Sequence, residues 1–154
     1  MTYEELQIEY DSLNIQEMDL SEITGLKGLY VDGNIAIQKG MTSAESGCTL
    51  AEEIGHHETS FGNILDLSDI RNRKQEQKAR LWAYNKQIGL TGIIQGYRQH
   101  CRNLYELADC LGVTEEFLKE ALECYRAKYG NSVEIDGYTI LFEPSLAIME
   151  KLQD

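Results

Sequence analysis

Charge is sorted along this chain, and the sorting limits how it can fold. Residues 1–70 carry two Lys/Arg against fourteen Asp/Glu, residues 71–102 eight against one, and residues 103–154 four against eleven. A basic middle between acidic flanks is stable as a helix that neutralises its acidic neighbours. The formal net charge of −12 argues against a general nucleic-acid binder, since phosphate backbones are held by an excess of Lys and Arg. At 154 residues the chain suits one domain with one core. No apolar run approaches the ~18 residues of a membrane helix, and the acidic start from Met1 to Tyr10 lacks the apolar heart of an export signal. A cytoplasmic protein with no membrane contact is therefore expected. Cys48, Cys101, Cys110 and Cys124 show no CxxC spacing and read as small buried hydrophobes in a reducing compartment.

Local signals give an α+β chain, mostly helical, with a small N-terminal sheet and a helical C-terminal part. Thr2–Leu13 reads as a short helix. Two β-prone runs in Gly28–Ile37 flank Asp32-Gly33-Asn34, a hairpin turn. Thr42-Ser43-Ala44-Glu45 is a capping box that starts a helix running to about His57. On that helix Ala44, Cys48, Ala51 and Gly55 recur at spacings of three or four, giving a narrow face of small residues suited to close packing. Ser60–Leu67 reads as a loop. Ile70 to about His100 reads as one long helix, bent near Gly89 or Gly92. Asn103–Leu111 and Thr114–Ala127 are helices separated by Gly112. Asp136-Gly137 marks a second hairpin within Val133–Phe142. Pro144 ends it, and Ser145–Leu152 reads as a short terminal helix. The expected division is a core over about 1–100 and a helical extension with a terminal hairpin over about 101–154.

Two of the three histidines stand side by side in Leu50-Ala51-Glu52-Glu53-Ile54-Gly55-His56-His57. Zinc peptidases place two ligands four residues apart on one helix face, with a glutamate beside the first ligand. Side chains at i and i+4 converge on one ion. The intervening Glu points more than a quarter-turn round the helix, where it reaches the metal-bound water instead. Glu52 and His56 have the ligand spacing, and Glu53 has the general-base position. A third ligand would come from a later helix, and Glu76 is the only acid between residues 71 and 102. Glu76 also suits an ion-pair partner in a basic helix, and the Glu/His cluster also suits a solvated helix face.

The run Cys48–His57 resembles the active-site helix of the ImmA/IrrE family of zinc metallopeptidases. Members carry His-Glu-Leu-Gly-His, then Glu-x-x-Ala-x-x-Phe-Ala on the next helix. Glu76, Ala79, Trp82 and Ala83 match the second motif, with Trp for Phe. The resemblance covers about residues 28–90, and phage-borne members also resemble Leu104–Tyr125 and Gly137–Pro144. It implies a zincin-like metallopeptidase core, with Glu53 as general base and His56 and Glu76 as zinc ligands. Glu52 takes the slot of the first His. Two Glu and one His form a hard, anionic site that can accept manganese or another divalent ion, or hold none. His57 is left as a substitute ligand, a group supporting a ligand, or a proton donor to an oxyanion. Tyr84–Ile88 lacks the family's proline-ending segment. The implied substrate is a helix-turn-helix, phage-type transcriptional repressor, cleaved or inactivated by a protein encoded on a prophage or mobile element. The alternative is a degraded relative that regulates a repressor by binding only.

Leu104–Leu122 has helix-turn-helix spacings at Ala108, Gly112 and Leu118. The would-be recognition helix carries Glu115, Glu116, Glu120 and Glu123 against Lys119, which would repel phosphates. It therefore reads as two packed helices without direct nucleic-acid contact. Nothing in the sequence fixes the oligomeric state.

Overall fold

The structure, a computed structural model, describes residues 1–22, 25–59 and 70–152, with side chains from residue 73 onward in the last stretch. The expected loop Ser60–Leu67 lies outside these residues. The chain runs α1 (Tyr3–Glu9), β1 (Asn14–Met18), β2 (Gly28–Val31), β3 (Asn34–Gln38), α2 (Ser43–Thr59), α3 (Ile70–Gln87), α4 (Gly89–Arg98), α5 (Leu104–Leu111), α6 (Glu115–Tyr129), β4 (Ser132–Ile135), β5 (Tyr138–Leu141) and β6 (Ala147–Glu150). It is an α+β fold in which helices predominate.

Turn and cap chemistry set the local structure. Asp32 and Gly33 both have positive φ, 47° and 79°, as do Asp136 and Gly137, 52° and 80°. Two such residues in a row make the hairpin turn that matches strand twist. Thr42 Oγ1 accepts the Glu45 backbone N–H at 3.1 Å and so caps α2, satisfying one of its orphan donors. Thr114 caps α6 in the same way, and Gly112 closes α5 in the left-handed region at φ 70°.

The structure departs from the local reading in four places. The helix expected over Thr2–Leu13 stops at Glu9. Asn14–Met18, mostly polar, becomes β1 and pairs in parallel with β3, giving a sheet of order β1-β3-β2. The single helix expected over Ile70–His100 is two helices, because Gly89 takes φ 64° after Ile88. The terminal helix expected over Ser145–Leu152 is instead a strand: β6 pairs antiparallel with β5 and completes a second sheet, β4-β5-β6. The C-terminal part is therefore two helices and a three-stranded sheet.

One hydrophobic cluster runs from Tyr3 and Leu6 through Ile35, Ile37, Leu50 and Ile54 to Leu118, Tyr125 and Ile140. The small-residue face of α2 packs closely, as its pattern predicts. A Cβ on Gly55 would overlap the backbone carbonyl of Ala79 on α3. Ala79 and Ala83 are fully buried. This crossing fixes α2 against α3, and the candidate site is built at it. The paired basic groups include Lys86, 2.8 Å from Glu9 of α1. Among the described residues, no helix is long and apolar enough to cross a membrane.

Candidate metal centre

The 3.6-residue helical period splits Glu52, Glu53, His56 and His57 of α2 into two lines. Glu52 and His56 lie on one line, which faces α3. Glu53 and His57 lie on the next, which faces strand β2. The close approach at Gly55 and Ala79 brings the first line onto Glu76. His56 Nε2 stands 3.0 Å from Glu76 Oε2, joining two helices across twenty residues of sequence. Arg80, one turn beyond Glu76, holds the other carboxylate oxygen at 3.3 Å. His56 is only 6% exposed. Burial is the largest influence on His56 and works against charge, but the hydrogen bond with Glu76 and the charges of Glu76, Glu53 and Glu52 together outweigh it and hold the imidazole above its ordinary pKa. The same bond holds Glu76 below the usual carboxylate range, against its own burial.

The second line meets the edge of the N-terminal sheet. A Cβ on Gly28 would stand 2.7 Å from Thr49 Cγ2 and 3.0 Å from both Cγ and Oε1 of Glu53. Only a glycine lets β2 come this close to Glu53 without displacing it. Two residues on, the Tyr30 hydroxyl lies 2.9 Å from His57 Nδ1, and the two rings meet edge to face. His57 thus faces Tyr30 while His56 faces Glu76.

Glu52 borders a cavity of about 520 Å³ between α2, α3 and the start of α6, with Cys48, Arg80, Phe117 and Glu120 around it. Burial lifts the Glu52 pKa to about 7, with Arg80 opposing and Glu120 and Glu76 adding to the rise. Burial lifts Glu53 to about 7 as well, with His56 opposing and Glu52 and Glu76 adding to the rise. Three carboxylates therefore act on one another's charge, with one imidazole and one guanidinium opposing them. That is an environment that favours either protonation or a cation.

The donors suit a divalent ion in kind, and two of them suit it in position. Two ligands each about 2.0–2.1 Å from a tetrahedral zinc lie roughly 3.3 Å apart, close to the 3.0 Å between His56 and Glu76. His56 Nδ1, the nitrogen turned away from Glu76, is buried with no hydrogen-bond partner among the described residues. Ligating histidines ordinarily have that second nitrogen held. Among the described residues no group of three or more His, Cys, Asp or Glu side chains stands where it could hold a metal ion. The structure therefore brings His56 and Glu76 together, sets Glu53 against β2 on the neighbouring line of α2, and leaves Glu52 one turn before His56 on the cavity wall.

Sequence reasoning passed over three residues of this site. Arg80 was legible, being four residues after Glu76. Gly28 and Tyr30 carried no signal of their own, because their contacts depend on how β2 lies across α2. The chain matches no protein-family model, and no curated protein or solved structure matches it.

Proposed function

We propose that this chain is a metal-dependent endopeptidase of the ImmA/IrrE type, with a zincin-like core. In this reading it acts in the cytoplasm on a helix-turn-helix, phage-type transcriptional repressor. The observation that carries the reading is the 3.0 Å contact of His56 Nε2 with Glu76 Oε2, at the two positions where the motifs call for ligands. His56 and Glu76 would hold the ion, and Glu52 would complete the set by turning from the cavity wall. A divalent ion there supplies Lewis acidity, polarising a peptide carbonyl and acidifying a water. Glu53 does the proton work. Its raised pKa of about 7 suits a group that takes a proton and returns it to a leaving amine near neutral pH. Gly28 lets the exposed edge of the sheet run beside that carboxylate. Arg80 holds Glu76 in place through its second oxygen.

A second reading, a relative that controls a repressor by contact alone, is favoured by one observation: no three donor groups converge among the described residues. Elemental analysis of the purified protein, followed by incubation with a helix-turn-helix repressor and gel electrophoresis, separates the two. The endopeptidase reading expects a bound divalent metal and cleavage that a chelator stops. It also expects Glu53→Gln to abolish cleavage with metal content and fold intact, and His56→Ala to lose metal and cleavage together. Cleavage at the normal rate by Glu53→Gln overturns the assigned mechanism. Repressor binding by a metal-free wild type that never cuts replaces the first reading with the second.

A further inference from the structure

The cavity at Glu52 continues beyond the candidate centre. Arg80 and Glu120 border both it and a larger groove, about 810 Å³, between α3 and α6. Leu81, Cys124 and Ala127 give this groove apolar surface, with the buried Tyr84 ring beneath them. Lys74, Lys78 and Leu81 recur at helical spacing along one wall, and Glu120, Cys124 and Ala127 along the other. From Lys74 to Tyr84 the wall is about 15 Å long at 1.5 Å per residue, or about three turns of a helix. The walls differ in sign. The α3 side carries Lys74, Lys78 and Arg80, while the α6 side carries Glu120 and Glu123, with Lys128 at one end. Lys74 and Lys78 form no ion pair among the described residues. In a chain of net charge −12, a wall of positive charge here borders apolar surface.

We propose that the groove docks an amphipathic helix of a protein partner. The apolar stripe of that helix lies on Leu81, Cys124 and Ala127. Its acidic flank faces α3 and its basic flank faces α6. Helix-in-groove binding takes affinity from the apolar stripe and register from the charged flanks. A nucleic-acid strand suits the groove poorly, because Glu120 and Glu123 would oppose its phosphates. A helix can present a different sign to each wall. Where the groove meets the cavity at Arg80 and Glu120, chain leaving the docked helix enters beside Glu52. That last step rests on the endopeptidase reading, whereas the docking does not.

The test uses the full chain carrying Glu53→Gln, with chelator present, so that no cleavage can occur. The probe is a labelled synthetic helical peptide with a leucine stripe, glutamates on one flank and lysines on the other, read by fluorescence anisotropy. Versions with glutamate on both flanks, lysine on both flanks, or a scrambled stripe are run beside it. The mixed-flank peptide should bind tightest and the scrambled one not at all. Lys74→Glu/Lys78→Glu should weaken the mixed peptide roughly tenfold and turn the preference toward the all-lysine peptide. Ala127→Trp, which fills one wall, should weaken every peptide. Equal binding of all flank versions, or binding unmoved by both variants, overturns the proposal. So does a single-stranded oligonucleotide that displaces the peptide from the wild-type groove. So does a dimer in sedimentation that Ala127→Trp dissociates, which would make a second copy the occupant. Peptide binding by a protein that never holds metal or cuts leaves the docking standing and removes the endopeptidase. Repressor cleavage with peptide binding unmoved by both variants does the reverse.

Discussion

Helix α3 has two faces that solve opposite problems. Toward α2 it turns Ala79 and Ala83, both fully buried, and its backbone lies against Gly55 with no room for a methyl group. Toward α6 it turns Lys74, Lys78 and Leu81 over a groove of about 810 Å³. The first face forces a fixed spacing, because close-packed backbones have no soft direction in which to slide. That spacing is what sets Glu76 within 3.0 Å of His56. The second face leaves space and, among the described residues, lysines without an ion pair, which suits recognition of something outside the chain. Small residues set the close crossing, and charged ones line the open groove.

The sharpest way to break this contrast is Gly55→Ala. Alanine is the better helix former by about 1 kcal/mol, so on an open helix face the change would stabilise. Here the added methyl overlaps a carbonyl that belongs to backbone and cannot rotate away. We expect a net loss of about 2–3 kcal/mol, or a fall of roughly 5–10 °C in melting temperature by circular dichroism. Metal affinity should fall with it, because α3 must move away from His56. An unchanged melting temperature would mean that the crossing is not tight.

The next effect concerns Glu53 in the chelated protein. Its folded pKa of about 7 stands above its ordinary 4.5. Between those values the folded state holds a proton that the unfolded state releases, so stability falls as pH rises from about 4.5 to about 7 and stays lowered above that. Glu53→Gln removes the penalty. The variant should melt at the same temperature as wild type near pH 4 and above it at pH 8. The gain should be about 1–2 kcal/mol once partial exposure of the carboxylate is allowed for. A gain as large at pH 4 as at pH 8 would show that burial of the carboxylate is not its source.

What the sequence revealed of this arrangement follows from how local each cause is. The α2 start at Thr42 and Glu45, both hairpin turns, and the small face ending at Gly55 are set by residues within one turn of each other, and all are present. The i,i+4 spacing of Glu52 and His56 and the solitary acid Glu76 were legible for the same reason. That the partner of His56 is Glu76, while that of His57 is Tyr30, depends on a helix and a strand arriving from elsewhere in the chain. Strands β1 and β6 stayed hidden because each is defined by pairing with β3 or β5 across the sheet. The groove was hidden too. The basic run in 71–102 was plain, but it does not neutralise its neighbours uniformly: Lys86 finds Glu9, while Lys74 and Lys78 face open space.

Glu52→His tests the half-built side of the tight crossing. Imidazole restores the common His, His, Glu set and removes one carboxylate from a space where burial already opposes charge. Competition with a chelator at neutral pH should show zinc bound about tenfold more tightly, or about 1.4 kcal/mol. Unchanged or weaker affinity would place Glu52 outside the ligand set and assign it to the cavity alone.

The smallest expected effect completes the contrast from the open side. Ala127 is exposed on α6 and borders the groove with Leu81 and Cys124. Ala127→Leu adds three carbons where Gly55→Ala adds one. Leucine is nearly as good a helix former as alanine, and its side chain can lie along the apolar surface, gaining a few tenths of a kcal/mol from partial burial. The net change should stay within about 0.5 kcal/mol in either direction, with metal affinity untouched. Chemical denaturation of the two variants side by side makes the comparison direct, since a common slope would show that both unfold from the same compact state. If Ala127→Leu costs as much as Gly55→Ala, the α3–α6 side is closed in solution. The difference between the two faces of α3 would then disappear.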